Sequence, residues 1–117
     1  MMPVTQVHSG GTTGAKTPIP LDYLPESQIT AAYTEVSPAV ATATVEVTLD
    51  NVFDPDSSDY VAPASARWFT LKGFAATPIT ATEYVTFSGP WRAIRLNIAT
   101  NDGTVIFQVG QSTSDRA

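Results

Sequence analysis

Apolar and polar residues alternate with a period of two along much of this chain. The clearest run is 41–49, where Ala41, Ala43, Val45, Val47 and Leu49 take one set of positions and Thr42, Thr44, Glu46 and Thr48 the other. In a strand, that pattern predicts a buried face for the first set and a wet face for the second. The Thr and Val content suits a pleated surface. Towards the C-terminus, Arg92, Ile94, Leu96 and Ile98 share one face and Ala93, Arg95 and Asn97 the other. Val105, Phe107 and Val109 then alternate with Thr104, Ile106 and Gln108. Between the two runs lies Thr100-Asn101-Asp102-Gly103, whose residues tolerate positive φ, so the pair is expected to form a β-hairpin.

Weaker strand signals cover 28–36, 67–72 with an end at Gly73, and 83–87 with an end at Ser88-Gly89-Pro90. Ser37-Pro38 and Pro78 mark breaks. Residues 50–66 are rich in Asp, Ser, Pro and small side chains and read as a long connection with a short helical turn at Pro63–Ala66. No segment sustains a 3.6-residue period over three turns, and no internal repeat is visible. The expectation is an all-β domain, a β-sandwich or jelly-roll-like fold of about six to eight strands.

The first twenty residues have a different character. Ser9-Gly10-Gly11-Thr12-Thr13-Gly14 is flexible in composition, and Pro18-Ile19-Pro20 favours extended chain. The expected organisation is therefore an extended, flexible N-terminal arm over 1–20 and a single β-sandwich domain over 21–117. Val4, Val7, His8 and Ile19 are the arm's candidate contacts with a partner, and a chain truncated to 21–117 is expected to stay folded.

Composition narrows the function. The chain has 117 residues, enough for one self-sufficient core. Only 15% are charged, and the net charge is -5. The polar surface is therefore supplied by Thr, Ser, Asn and Gln, which suits a protein packed against a partner. Lys16, Arg67, Lys72, Arg92, Arg95 and Arg116 are scattered along the chain, so no basic stripe points to nucleic acid or an anionic membrane. There is no cysteine, which excludes disulfides, thiolate catalysis and Cys-ligated zinc. The start of the chain has no basic region followed by an apolar one, and no run approaches ~18 apolar residues. Synthesis in a cytoplasm and a soluble state are expected.

Candidate chemistry is sparse. His8 is the single histidine and has no nucleophile or orienting partner nearby in sequence, so it reads as a surface or contact residue. Asp50, Asp54, Asp56 and Asp59 could contribute oxygens to calcium, but the loop lacks the central Gly and terminal Glu of an EF-hand. The simpler reading is a turn whose carboxylates cap backbone amides. Glu26, Glu35, Glu46 and Glu83 offer carboxylates for glycoside hydrolysis, but Glu46 lies on the polar side of its strand, which reads as solvated surface. The glycines of 9–14 lack the Lys-Ser/Thr ending of a phosphate loop. Trp68 has the opposite parity to Phe69 and Leu71, and Trp91 follows Gly89-Pro90. Each is either an exposed interface anchor or a side chain covered by a loop or sheet. No catalytic residue, metal or cofactor is expected, and the chain is not expected to be an enzyme.

Gly89-Pro90-Trp91-Arg92-Ala93-Ile94-Arg95-Leu96-Asn97 followed by Gly103-Thr104-Val105-Ile106-Phe107-Gln108-Val109 resembles the ending of small virion structural proteins of tailed, podovirus-type bacteriophages. The stretch from Val45 to Asp54 and Ser65-Ala66-Arg67-Trp68-Phe69 is similar as well. The resemblance spans roughly residues 28–110 and leaves the arm outside. It implies a non-enzymatic particle component, a capsid decoration or cement protein on the major capsid protein, forming a dimer or trimer and residing in the virion. A tail, neck or fibre-attachment protein is the alternative within that family. From outside it, a sugar-binding sandwich is a further reading, and it requires Trp68 and Trp91 to share one flat face.

Overall fold

The computed structural model describes residues 3–9, 13–22, 28–36, 41–76, 82–101 and 103–112. The predicted breaks at Ser37-Pro38 and Pro78 and the glycines at 10 and 11 lie outside them. Within them, the alternating segments form two antiparallel sheets, as a β-sandwich requires. The first sheet runs β1 (Val4–His8), β9 (Thr104–Ser112), β4 (Gln28–Val36), β7 (Thr82–Ser88). The second places β2 (Gly14–Ala15) and β3 (Ile19–Pro20) along β8 (Ala93–Asn101), followed by β5 (Ala41–Thr48) and β6 (Phe69–Ala76). A single turn of 3-10 helix at Pro63–Ser65 matches the expected helical turn. If β2 and β3 are counted as one interrupted strand, the eight strands run 1-8-3-6 in one sheet and 2-7-4-5 in the other.

The core lies between the sheets and follows the alternation. Ile29, Ala31 and Tyr33 of β4 and Val105, Phe107 and Val109 of β9 face Ala43, Val45 and Val47 of β5 and Ile94, Leu96 and Ile98 of β8. Each large side chain fully buried there contributes about 1.5–3 kcal/mol.

Four expectations change. First, β8 and β9 are not a hairpin: β8 pairs with β5, while β9 pairs with β1 and β4. The turn at Gly103 carries the chain from one sheet to the other. Both strands keep their apolar sides inward because those sides face each other across the core. Second, Leu49 does not continue the buried face of β5. The strand ends at Thr48, the chain bends at Leu49, and Leu49 is exposed while Thr48 is buried. Third, β6 runs through Gly73, which pairs with Thr44, so Gly73 is a rung of the ladder and not its end.

Fourth, the described parts of the first twenty residues are extended but pair with the sandwich. β1 borders β9 from Val4↔Val109 to His8↔Val105, and β2 and β3 border β8 at Gly14↔Ile98 and Ile19↔Ile94. The segment thus crosses from the edge of one sheet to the edge of the other. Ile19, only 2% exposed, joins the core with Leu21. Prolines at 18 and 20 remove backbone donors, which an edge position tolerates. Gln111 fastens the end of this segment to β9. Its side-chain amide accepts from the Asp22 N–H at 2.7 Å and donates to the Asp22 carbonyl at 2.8 Å, imitating a strand pair.

Candidate interaction surface

The two sheets present different outer faces. On the second sheet, Ala93 and Thr48 point away from the core, yet both are fully buried. Val52, in the connection after β5, is buried with them and lies outside the main core cluster. The long connection between β5 and β6 therefore folds over this face. It is held by the Asp50 carboxylate, which accepts from the Arg67 N–H at 2.8 Å, and by the Val61 N–H donating to the Asn51 carbonyl at 2.8 Å. At its end Trp68 lies flat under Arg95, with the guanidinium carbon 4.0 Å from the ring centroid, and its indole N–H donates to the Pro63 carbonyl at 2.9 Å. Arg95 stands opposite Glu46 across β8 and β5 and pairs with it at 2.7 Å, both side chains about 15% exposed. Asn97 donates to the same carboxylate at 3.4 Å. Glu46, expected in open solvent, is thus engaged in a shielded ion pair.

The acidic part of the connection is internally bonded. Asp54 accepts from the Asp56 N–H, and Asn51 accepts from the N–H groups of Phe53 and Asp54. The Asp59 carboxylate accepts from Ser57 and Asn51 and pairs with Arg92 at 3.3 Å. These contacts, the Ser57 hydroxyl foremost and then the Asn51 amide, hold the Asp59 carboxyl below its ordinary range. The capping role expected of such carboxylates is the one the geometry gives them. Among the described residues no group of three or more acidic or histidine side chains is placed to hold a metal.

Among the described residues, nothing covers the outer face of the first sheet in this way. Its described outward positions include Thr5 and Val7 on β1, Ile106 and Gln108 on β9, Thr30, Ala32 and Thr34 on β4, and Tyr84 and Thr86 on β7. None of these carries a charge. Val7 is 60% exposed and Tyr84 68%. Hydroxyl and amide groups cross-link the face, with Thr30 and Thr86 at 3.2 Å and Gln108 donating to Thr5 at 3.4 Å. An uncharged face of this kind loses little hydration energy when it is covered, and its side chains offer both apolar area and hydrogen bonds.

The six residues expected to contact a partner are dispersed. Val4 is half-buried against the core, and Ile19 is in it. His8 points inward from β1, with its Nε2 3.2 Å from the Gln6 side-chain oxygen. Burial, and then the nearby Lys16 ammonium, lowers its pKa below the usual 6.5. Gln6 in turn donates to the Thr17 carbonyl at 3.0 Å, tying β1 to the segment before β3. Trp68 belongs to the covered face of the second sheet. Trp91 packs against the core at one end of the sandwich, its ring 6.1 Å from that of Phe69, which is 50% exposed. The two tryptophans therefore occupy different surfaces. Of the six, only Val7 stands on the bare face. Gln108, Thr30 and Thr86 escape a search for charged or aromatic signatures, and Tyr84, though aromatic, is not set apart in the sequence from the chain's other tyrosines. The signal that marks them is an absence of charge on the outward half of the alternation in four separate strands.

No family model and no curated protein matches the sequence. Among solved structures, the chain is similar to the SPBc2 prophage-derived protein YomS at 10% identity and a TM-score of 0.49, covering 96% of each chain. It is also similar to a chain in the structure of infectious bursal disease virus, Gt strain, at 11% identity and a TM-score of 0.40, covering 99% of this chain and 31% of that one. A third similarity is to the Yersinia pseudotuberculosis-derived mitogen at 10% identity and a TM-score of 0.36, covering 99% of this chain and 91% of that one. Likeness at this level assigns neither a family nor an activity.

Proposed function

We propose that the chain is a non-enzymatic virion structural protein of a tailed bacteriophage. In this reading it decorates the capsid by laying the outer face of β1-β9-β4-β7 on the shell of the major capsid protein. The observation that carries the reading is the contrast between the two outer faces: one covered by the protein's own connection, the other uncovered by any described residue and uncharged at its described positions. A cement protein binds through many copies on a symmetric lattice, so a weak contact per copy suffices. An uncharged face of Thr, Gln, Tyr and Val suits such a contact because it demands no buried ion pairs.

The winding of the chain is consistent with this role. The strand orders 1-8-3-6 and 2-7-4-5 support a two-Greek-key jelly-roll reading, an architecture found in viral capsid and lectin domains. That support is analogy at the level of fold, since one fold hosts many functions. The lectin-like reading loses its specific requirement, because Trp68 and Trp91 do not share a face.

Mass spectrometry of purified particles, with copy number referenced to the major capsid protein, tests the proposal. Copies on the order of hundreds per particle are expected for a lattice-bound decoration protein. A dozen copies or fewer moves the protein to the neck or tail. Absence from the particle overturns the virion reading altogether.

A further inference from the structure

The two sides of the sandwich are finished differently. On one side, the described parts of the first twenty residues border both sheets and bring Ile19 into the core. On the other side lie two edge strands, β6 and β7, which no described strand borders. The β5–β6 pairing carries a register shift between Val45 and Glu46, an irregularity of the kind that spoils an edge for further pairing. Among the described residues, β7 shows no such protection. Its seven residues pair with β4 in unbroken register, from Ser88↔Gln28 to Thr82↔Thr34. The strand contains neither Lys nor Pro, the residues that usually blunt an edge, and its single charge is Glu83.

We infer that β7 is the seam of a two-fold dimer in which the first sheets of two copies join edge to edge. The sequence of β7 is complementary to itself. A two-fold antiparallel ladder must set outward residues opposite outward residues, and the register that uses all seven residues is centred on Val85. In it Tyr84 faces Thr86 of the second copy, an aromatic against a β-branched residue, which is a favourable cross-strand pair. The position of Glu83 lies opposite that of Phe87, so the two carboxylate-bearing positions do not meet. Val85 meets its own counterpart. Val85 and Phe87 point inward but remain only half-buried, whereas Ile29, Ala31 and Tyr33 of β4 and Val105, Phe107 and Val109 of β9 are fully buried. A second copy would cover that open margin of the core. The dimer would also extend the uncharged outer face without a break, presenting one eight-stranded surface. The inference concerns association in solution, so its outcome is separate from that of particle binding.

Sedimentation of the full-length protein across concentration, with far-UV circular dichroism to confirm folding, tests it. Twice the 12.4 kDa chain mass is expected at high concentration. Tyr84 and Thr86 are both exposed, so substitutions there leave the fold intact. Y84K/T86K sets two pairs of like charges opposite each other and should weaken dimerisation about tenfold or more. Y84K/T86E changes the same two positions but sets opposite charges across the seam, and it should keep the dimer. Q108K, on β9 in the interior of the same sheet, should leave association unchanged. In the wild-type protein, amide exchange within β7 should slow as concentration rises. A wild-type chain that stays monomeric up to about 1 mM, where even a millimolar contact would be substantially formed, overturns the inference. So does a dimer indifferent to Y84K/T86K, or one lost equally in Y84K/T86E.

Discussion

Glu46 and Arg95 are opposite residues on neighbouring strands, and a bare cross-strand ion pair of this sort contributes little. Trp68 changes its weight by lying over the guanidinium and keeping water from the pair. Removing one member strands a shielded charge, so Glu46→Ala is expected to lower stability by about 2 kcal/mol. Glu46→Ala combined with Arg95→Ala should lose less than the sum of the two single changes. Urea denaturation of the four proteins measures the coupling. His8 gives a pH signature. Its folded pKa lies below 6.5, so the unfolded chain takes up the proton first as pH falls. The stability tied to neutral His8 is therefore fully present above 6.5 and declines as pH drops through that value towards the folded pKa. His8→Gln should flatten the decline between pH 6.5 and about 5, above the range where ordinary carboxylates titrate. Gly89 has φ +130, and an added Cβ would come within 3.0 Å of the Trp91 indole nitrogen. Gly89→Ala should cost about 1–3 kcal/mol and shift Trp fluorescence, since it disturbs the side chain that closes this end of the core.

At the scale of elements, the N-terminal segment makes a sharp prediction. A chain beginning at residue 21 would lose β1, β2, β3 and Ile19, exposing the margin of β9 and part of the core. Ile19→Ala alone should cost about 2–4 kcal/mol, read from the urea midpoint, and the truncated chain should be less stable still. Burial of this segment was hard to see in the sequence because its composition is that of a linker: one isoleucine between two prolines, preceded by glycines. The strands themselves were legible wherever one face is covered and the other wet, as in 104–112. Their partners were not. Period-two alternation reports that a strand has an inside, but not which sheet it joins. Asn101, Asp102 and Gly103 favour a reversal whether the chain returns within one sheet or crosses to the next. Leu49 fails for a related reason. The period runs one residue past the end of β5, and only the bend there decides that Thr48 is covered and Leu49 is not.

Across the described residues, charge is distributed unevenly. Glu46, Arg95, Asp59 and Arg92 pair with one another on or beside the connection that covers the second sheet. The described outer face of the first sheet has none. Low charge was visible in the composition, but its segregation was not, because the uncharged outward positions are scattered over four strands that meet only in the fold. If this face is the docking surface, a charge placed at its centre should oppose docking without opposing folding. Thr30 sits on β4, an interior strand, and is exposed. Thr30→Asp should change stability by less than about 1 kcal/mol, because an exposed aspartate on a strand carries only a modest propensity penalty. Docking would bury that carboxylate with no cation to meet it. A desolvation penalty repeated at every contact should reduce occupancy on particles at least tenfold. The matched control is Thr70→Asp on β6, exposed at the edge of the opposite sheet. Particle proteomics with each variant supplied in place of the wild type measures both. Loss with Thr30→Asp alone would tie binding to the bare face, whereas equal occupancy of the two variants would move the contact elsewhere on the molecule.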